Sequence, residues 1–197
     1  MIVSRRHRFI YFGPPKTAST SLTTLFVDHF GGEYFYKPEC DPNPYRFETL
    51  SGRAQHQIIL PIEFVDYLTV LSVRNPYRRF LSMYTFFRKR RQVESIEGYF
   101  PFAEPPIAQE LAHVPMGCVP IRVDRIIRVE TLLDDVNALP FVKEPVQIPH
   151  ERQSNASSLP MTNQIIEFVN NFYRADFEAF GYPFDERLDA ARGAVSN

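Results

Sequence analysis

The sequence predicts an α/β domain in which helices cover both faces of a parallel sheet, and three observations carry this prediction. Residues 9–12 and 68–73 are almost continuously apolar, which is typical of strands buried inside a parallel sheet. Each of these runs precedes a helical pattern of apolar residues, at 19–30 and at 76–91. Strands that alternate with helices along the chain indicate a parallel sheet that is covered on both sides.

Length and composition indicate one globular domain spanning residues 1–197. Hydrophobic residues make up 44% of the chain, charged residues make up 23%, and the net charge is −1. Because neither sign of charge is in excess, the composition indicates no nucleic-acid partner and no acidic membrane surface, so any anion site must be local. Cys40 and Cys118 show neither metal-ligand spacing nor a disulfide framework, and we expect two reduced thiols.

The beginning of the chain is basic, and the apolar run that follows it is short. That run leads directly into Gly13, so it has neither the length of a secretory signal nor the length of a membrane span. We therefore expect a cytoplasmic, enzyme-like domain without a membrane span.

Shorter signals predict the remaining elements. Gly31 and Gly32 form a stop signal for the first helix, and Pro76 stands at the first helical position, which proline favours. Further strands are predicted at 34–36, 57–60 and 125–129, and further helices at 107–113, 131–139 and 162–180. Loops are expected at 37–55, at 99–120 around the short helix, and at 145–160.

The segment from Gly13 to Ala18, called the Gly13 loop below, has the layout of an anion site. It follows a predicted strand and opens a predicted helix, whose first amide groups and dipole favour negative charge. In the Walker A pattern, glycine and lysine would stand where Ala18 and Ser19 stand here, so lysine and Mg²⁺ are not presented as in a nucleoside triphosphatase. The amides and hydroxyls that could cradle a phosphate belong to Thr17, Ala18, Ser19, Thr20 and Ser21.

A second candidate anion site lies in "VRNPYRRFLSMY", residues 73–84. Arg74 follows the apolar strand at 68–73, at the edge where ligand crevices open in sheets of this class. Arg74 and Ser82 together could hold another phosphate, through guanidinium and hydroxyl. The segment, in which Arg78 and Ser82 are four residues apart, is also compatible with a surface helix that carries ordinary charge pairs.

These segments resemble sulfotransferases. "PKTASTSL" resembles their 5′-phosphosulfate-binding loop, P-K-T-G-T-T-S-L, and "VRNPYRRFLSMY" resembles their 3′-phosphate-binding element, R-[ND]-P-x-x-R-x-x-S-x-Y. "FYRADFEAFGY" is similar to a C-terminal pattern of the family, Y-x-x-D-[FY]-x-x-[FL]-G-Y, and "RVETLLDDV" to its R-x-E-x-L segment. The resemblance is closest to short bacterial members of the carbohydrate type. Ala18 departs from the commoner glycine, and we expect it to take helical geometry with negative φ.

The resemblance implies a P-loop-like, nucleotide-kinase-like fold and a metal-independent reaction. The donor co-substrate would be 3′-phosphoadenosine 5′-phosphosulfate, and the partner would be a hydroxylated acceptor of the sugar class. Arg74 and Ser82 would bind the 3′-phosphate, and Lys16 would stabilise the oxygen that bridges sulfur and phosphorus. The residues implied at the 5′ end are Pro15, Lys16, Thr17, Ala18, Ser19, Thr20 and Ser21.

The general base that must take the acceptor proton has two candidates. His56 is the first, because imidazole titrates near working pH, and Glu63 is the second. "IPHERQSNAS", which contains His150, resembles the P-H-x-N loop that closes over the donor in relatives. Arg152 stands where asparagine is expected, with Asn155 nearby, and is a further candidate phosphate ligand.

Two other functions share these features and remain open at the level of sequence. A P-loop nucleotide kinase would have the same fold, although the G-K-[ST] signature and a clear Mg²⁺-binding aspartate are missing. A non-catalytic nucleotide-binding protein would keep the pocket without turnover.

The basic run 88–91 is either a solvated helix end or a patch for an anionic acceptor. Neither acceptor identity nor oligomeric state follows from the sequence.

Overall fold

The structure is a computed structural model that describes residues 1–40, 49–91, 94–148 and 161–185, with backbone only at 89–91. Its contacts divide the chain into two units. The first unit comprises Met1–Arg74 and Glu110–Gln153, and the second comprises Asn75–Gln109 and Ser154–Asn197. That residues 1–197 form a single domain remains a prediction.

The first unit contains a five-stranded sheet of order β3-β1-β2-β4-β5. The strands are β1 (Ile2–Ser4), β2 (Phe9–Phe12), β3 (Gly32–Tyr34), β4 (Leu68–Val73) and β5 (Arg125–Arg128). β2 pairs with β4 and β4 with β5 in parallel, but β1 runs antiparallel to both β2 and β3. The chain is thus an α/β protein with helices beside its sheet, and the predicted parallel sheet is confirmed only for β2, β4 and β5, because β1 and β3 make the sheet mixed.

β1 is the strand that the sequence prediction missed. Its three residues are buried, although the basic residues that follow gave this part of the chain a polar appearance. A four-residue connection brings Ser4 opposite Phe9, and so short a link can join only antiparallel strands. Arg8 has a φ of 51° in this connection, which turns the chain back onto the sheet. The predicted strand at 34–36 is shifted to Gly32–Tyr34, where it pairs with β1.

Seven α-helices occur in the described part of the chain. They are α1 (Ser19–Phe30), α2 (Leu50–His56), α3 (Pro76–Arg91), α4 (Ile107–Ala112), α5 (Leu132–Asn137), α6 (Asn163–Phe172) and α7 (Arg174–Phe180). Short 3₁₀ turns lie at Pro38–Cys40, Ile62–Phe64, Glu97–Phe102 and Val129–Thr131. Within the ranges described, no helix has the length and apolar character needed to cross a membrane.

The predicted bounds of α1 and α3 are confirmed, but other predictions need correction. The predicted loop 37–55 contains most of α2, whose Thr49 cap accepts a hydrogen bond from the Gly52 amide at 3.0 Å. Residues 57–60 are buried but form no strand, so their apolar character reflects burial alone. The single helix predicted at 162–180 is interrupted at Tyr173, where φ is −99° and ψ is 19°.

An aromatic cluster holds α1 against the sheet of the first unit. Phe9 on β2 stacks on Phe141 at a centroid distance of 4.3 Å. Phe26 on α1 lies 5.2 Å from the Phe9 ring and 6.2 Å from the Phe141 ring. Burial of three large rings stabilises the position of α1 by several kcal/mol, at about 2 kcal/mol for each ring. These ring contacts therefore hold α1 against β2.

The second unit is built around a buried ion pair. Arg79 on α3 lies 3.5 Å from Asp176 on α7, and both side chains are almost completely buried. The other Asp176 oxygen accepts the Ala108 amide at 2.8 Å, and the Tyr173 hydroxyl donates to the Glu104 carbonyl at 2.9 Å. The tyrosine and the aspartate of "FYRADFEAFGY" thus have structural roles here.

The two cysteines lie close together in the first unit. Their sulfur atoms are 3.8 Å apart and both are free thiols, as expected. Burial raises the pKa of the Cys118 thiol to about 11, so this group is protonated at neutral pH. Their proximity had no signal in the sequence, because Cys40 and Cys118 are separated by 78 positions.

Candidate functional site

The carboxyl ends of β2 and β4 form the edge at which the candidate site lies. These strands are parallel neighbours, with Phe12 opposite Leu71. The Gly13 loop leaves β2 at this edge, and Arg74 follows the end of β4. Crevices for ligands open at this edge in sheets of this class, because neighbouring strands there lead into separate connections.

Two residues of the Gly13 loop have left-handed backbone conformations. Lys16 has a φ of 69°, and Ala18 has a φ of 58° with a ψ of 22°. The prediction that Ala18 takes helical geometry is therefore wrong. The loop must reverse direction immediately before α1, and this turn requires a left-handed residue, which explains why glycine is commoner there in the resembling motif. Each such residue costs about 1–3 kcal/mol, and strain of this kind concentrates at functional sites.

The first turn of α1 offers amide groups to an anion. Ala18 occupies the cap position and its side chain cannot accept a hydrogen bond from these amides. The first turn also carries no acidic residue, so the positive end of the helix dipole is not neutralised locally. Ser19 and Ser21 are buried, whereas Thr20 is exposed. This geometry is suited to a phosphate or a sulfate group.

The hydroxyl of Thr17 is engaged inside the loop. The side chain is fully buried, and its Oγ1 atom donates a hydrogen bond to the Pro14 carbonyl at 2.7 Å. The sequence predicts this hydroxyl as one of the groups that could cradle a phosphate. In the structure it stabilises the loop from within.

Arg74 reaches the Gly13 loop from β4. Its half-buried guanidinium group donates through one Nη atom to the Lys16 carbonyl at 3.4 Å. The two residues are 58 positions apart in the sequence, and the parallel pairing of β2 with β4 brings them together. A guanidinium group beside the loop adds a fixed positive charge to the edge of the sheet.

His56 reaches the same loop from α2. Its Nδ1 atom lies 2.5 Å from the Gly13 carbonyl. A carbonyl oxygen only accepts hydrogen bonds, so Nδ1 carries the proton and the neutral ring has its lone pair at Nε2. The buried side chain of Gln57 bonds both the amide and the carbonyl of Lys37, at 3.0 Å and 2.9 Å, and this fixes the end of α2 that carries His56.

Comparison with known proteins decides the family. Residues 1–113, more than half of the 197 in the chain, match the sulfotransferase family. The chain belongs to the sulfotransferase family. This sulfotransferase is accordingly a transferase that acts on an acceptor substrate. No curated protein and no solved structure matches it significantly.

The remaining site candidates of the sulfotransferase lie on several different elements. Glu63 is exposed on the 3₁₀ turn at Ile62–Phe64, where its charge contributes to the raised pKa of Cys118. Pro15 is buried in the Gly13 loop, and Ser82 lies on α3 in the second unit with only 2% of its surface exposed. Arg152 lies outside the described residues, as do His150 and Asn155.

One contributor to the second motif of the sulfotransferase was missed. Asn75 caps α3, because its side-chain oxygen accepts the amides of Tyr77 at 3.1 Å and Arg78 at 3.4 Å. Asn75 followed by Pro76 is a standard start signal for a helix, and this signal could have identified the role from the sequence. In the described ranges, no group of three or more His, Cys, Asp and Glu side chains could hold a metal ion.

Proposed function

We propose that this sulfotransferase is an O-sulfotransferase. It transfers the sulfuryl group of 3′-phosphoadenosine 5′-phosphosulfate to a hydroxyl group of a carbohydrate or glycoconjugate. The proposal includes a P-loop-like role for the Gly13 loop and requires no metal. Three findings support the proposal: the family of the chain, the resemblance of two motifs, and the contacts that His56 and Arg74 make with the Gly13 loop.

The donor carries two separate anionic ends, and the chain offers two elements for them. The 5′-phosphosulfate is assigned to the Gly13 loop and to the first turn of α1, where the first amide groups of the helix and the positive end of its dipole lie together. Arg74 and Ser82 are assigned to the 3′-phosphate on the resemblance of "VRNPYRRFLSMY". Arg152 is a further candidate ligand on the same basis.

Lys16 is assigned to the leaving group. In an in-line transfer, the acceptor oxygen forms a bond to sulfur while the bond from sulfur to the bridging oxygen breaks. Negative charge then accumulates on the bridging oxygen of the departing adenosine 3′,5′-bisphosphate. An ammonium group on a preorganised loop stabilises this charge without reorganising at the moment of reaction. The left-handed backbone at Lys16 is the strain expected of such a loop.

His56 is assigned as the base that takes the proton of the acceptor hydroxyl. With its Nδ1 proton donated to the Gly13 carbonyl, it accepts at Nε2. A positioned base contributes roughly 10² to 10⁴ to the rate. Glu63 is the alternative base, and it lies exposed on the 3₁₀ turn at Ile62–Phe64.

The observation that carries the proposal is the convergence on one loop. His56 contacts the first residue of the Gly13 loop, and Arg74 contacts the carbonyl of Lys16 within it. His56, Arg74 and Lys16 come from three different parts of the chain. Local structure alone gives no reason for them to meet.

Calorimetric titration tests the donor assignment. Adenosine 3′,5′-bisphosphate is expected to bind, ATP is expected to bind at least tenfold more weakly, and EDTA should leave the bisphosphate affinity unchanged. Tighter binding of ATP that depends on Mg²⁺ would instead favour a nucleotide kinase. Binding without turnover on sugars, lipids and phenols would favour a non-catalytic protein. Transfer of label from ³⁵S-labelled donor to a sugar within this acceptor panel is the result that supports the full proposal.

A further inference from the structure

Three buried hydroxyl groups connect the sheet to the Gly13 loop. The Tyr11 hydroxyl lies 2.8 Å from Ser72 Oγ, and Ser72 Oγ lies 2.6 Å from Thr17 Oγ1. All three residues are fully buried. They belong to β2, β4 and the loop, respectively, and together they are called the hydroxyl chain below. Nothing in the proposed reaction uses Tyr11 or Ser72 directly.

The direction of every hydrogen bond in the hydroxyl chain can be deduced. Thr17 donates its single proton to the Pro14 carbonyl, which can only accept. Ser72 must therefore donate to Thr17, and Tyr11 must donate to Ser72. Burial raises the pKa of the Tyr11 hydroxyl, so this donor keeps its proton at neutral pH. Hydrogen bonds that run in one direction strengthen one another in a buried environment.

The hydroxyl chain ends at the strained part of the loop. Thr17 stands between Lys16 and Ala18, the two residues with left-handed backbone, so its anchored side chain holds the turn on both sides. Tyr11 supports the other end of the loop. A Cβ atom built on Gly13 would lie 2.9 Å from the Tyr11 hydroxyl oxygen, which shows that the backbone rests directly on this ring.

We propose that Tyr11 and Ser72 are positioning residues that hold the Gly13 loop in its productive conformation, and this inference rests on the proposed function. They act through Thr17 and Gly13. Their effect is to keep Lys16 and the first amides of α1 aligned with a transferring sulfuryl group. Misplacement of a catalytic group by about 1 Å can lower a rate by about 10². Loss of the hydroxyl chain should therefore affect turnover more than binding of the donor in its ground state.

The test compares two serine substitutions in the full-length protein. Ser72→Ala removes the middle of the hydroxyl chain. Ser4→Ala is the matched control, because Ser4 is equally buried and its Oγ donates to the Phe30 carbonyl at 2.6 Å, in a hydrogen bond that does not involve the loop. Ser72→Thr retains a hydroxyl and should restore function. Tyr11→Phe keeps the ring beneath Gly13 and is the second variant if Ser72→Ala does not fold.

The rate of hydrogen exchange at the amides of residues 16–21 measures local opening of the loop in the absence of any ligand. Ser72→Ala should accelerate this exchange by at least about tenfold, and Ser4→Ala should not. Turnover per folded molecule should fall by roughly 10- to 100-fold in Ser72→Ala, with the donor KM within about threefold of wild type.

The outcomes separate this inference from the proposed function. A wild-type protein that neither binds adenosine 3′,5′-bisphosphate nor transfers sulfuryl groups contradicts the proposed function. In that case, accelerated exchange in Ser72→Ala would still support the role of the hydroxyl chain in holding the loop. An active wild type, together with exchange and turnover in Ser72→Ala and in Tyr11→Phe that equal those of Ser4→Ala, would overturn the inference.

Discussion

Replacing Ala18 by glycine tests the most unexpected feature of the Gly13 loop. Ala18 has a φ of 58°, and a left-handed conformation costs an L-residue about 1–2 kcal/mol that glycine does not incur. Glycine also loses more conformational entropy on folding, which opposes this gain by about 0.5–1 kcal/mol. Ala18 is half-buried against the core of the first unit, so loss of its methyl group lowers the free energy of unfolding by about 0.4 kcal/mol in addition to the entropy cost.

A second alanine in the same unit cancels the entropy term. Ala138 ends α5 with a φ of −81°, which is right-handed, and it is exposed. Ala138→Gly therefore shows the entropy cost alone and should lower the free energy of unfolding by about 0.5–1 kcal/mol. The difference in the free energy of unfolding between the two variants equals the backbone strain at Ala18 minus the stabilisation that its methyl group contributes. We expect Ala18→Gly to be the more stable variant by about 0.5–1.5 kcal/mol.

The assay is urea unfolding of both variants and of the wild type, followed by thermal melting. For a chain of this length, the expected difference corresponds to a Tm about 1–6 °C higher for Ala18→Gly than for Ala138→Gly. Equal losses of stability in the two variants would refute the left-handed assignment of Ala18 and the strain argument based on it.

Four further predictions concern the site and the core of the second unit. Arg74→Ala should raise the donor Kd tenfold or more in calorimetry but leave saturated turnover nearly unchanged, because a phosphate contact remote from sulfur stabilises the ground state and the transition state equally. A fall in turnover with an unchanged donor Kd would contradict the assignment of Arg74 to the 3′-phosphate. Lys16→Ala should lower the single-turnover rate by about 10² to 10³, and a rate like wild type would remove it from the mechanism. In the wild type, turnover should rise at roughly pH 6–7, where an imidazole loses its proton and becomes able to act as a base, and His56→Ala should abolish this rise. If Glu63→Gln abolishes the rise instead, Glu63 is the base. Asp176→Ala leaves a buried guanidinium group without its carboxylate and should cost about 3–5 kcal/mol, or about 6–20 °C in Tm, and a shift below 3 °C would show that the ion pair is dispensable.

Local sequence signals predicted the elements that carry the site. β2 and β4 are continuous apolar runs, and such runs are recognisable from a few neighbouring residues. The bounds of α1 and the approximate bounds of α3 were predicted correctly, because glycine follows one helix and proline begins the other. The order of strand, loop and helix is also the basis on which the sequence predicts an anion site at the loop.

Signals of the same local kind also caused the errors. Strand β1 has only three residues and is followed by basic ones, so its burial depends on pairing with β2 and β3. Helix α2 lies in a polar segment, and its place follows from packing against α1 and β3. In each case the deciding contact lies outside the window over which apolar periodicity can be read.

By itself, the sequence determined the class of fold and the position of the Gly13 loop, and it predicted an anion as the ligand of such a loop. All three depend on interactions between residues a few positions apart, and these leave a readable pattern. Only the tertiary structure decided the left-handed backbone of Ala18, the contact of His56 with Gly13 and the hydroxyl chain through Ser72. The two contacts join residues 43 and 55 positions apart, because parallel pairing of strands and packing of a helix bring distant segments together. The free energy that selects these contacts comes from burial and hydrogen bonding in the completed fold, so no short stretch of the chain contains it.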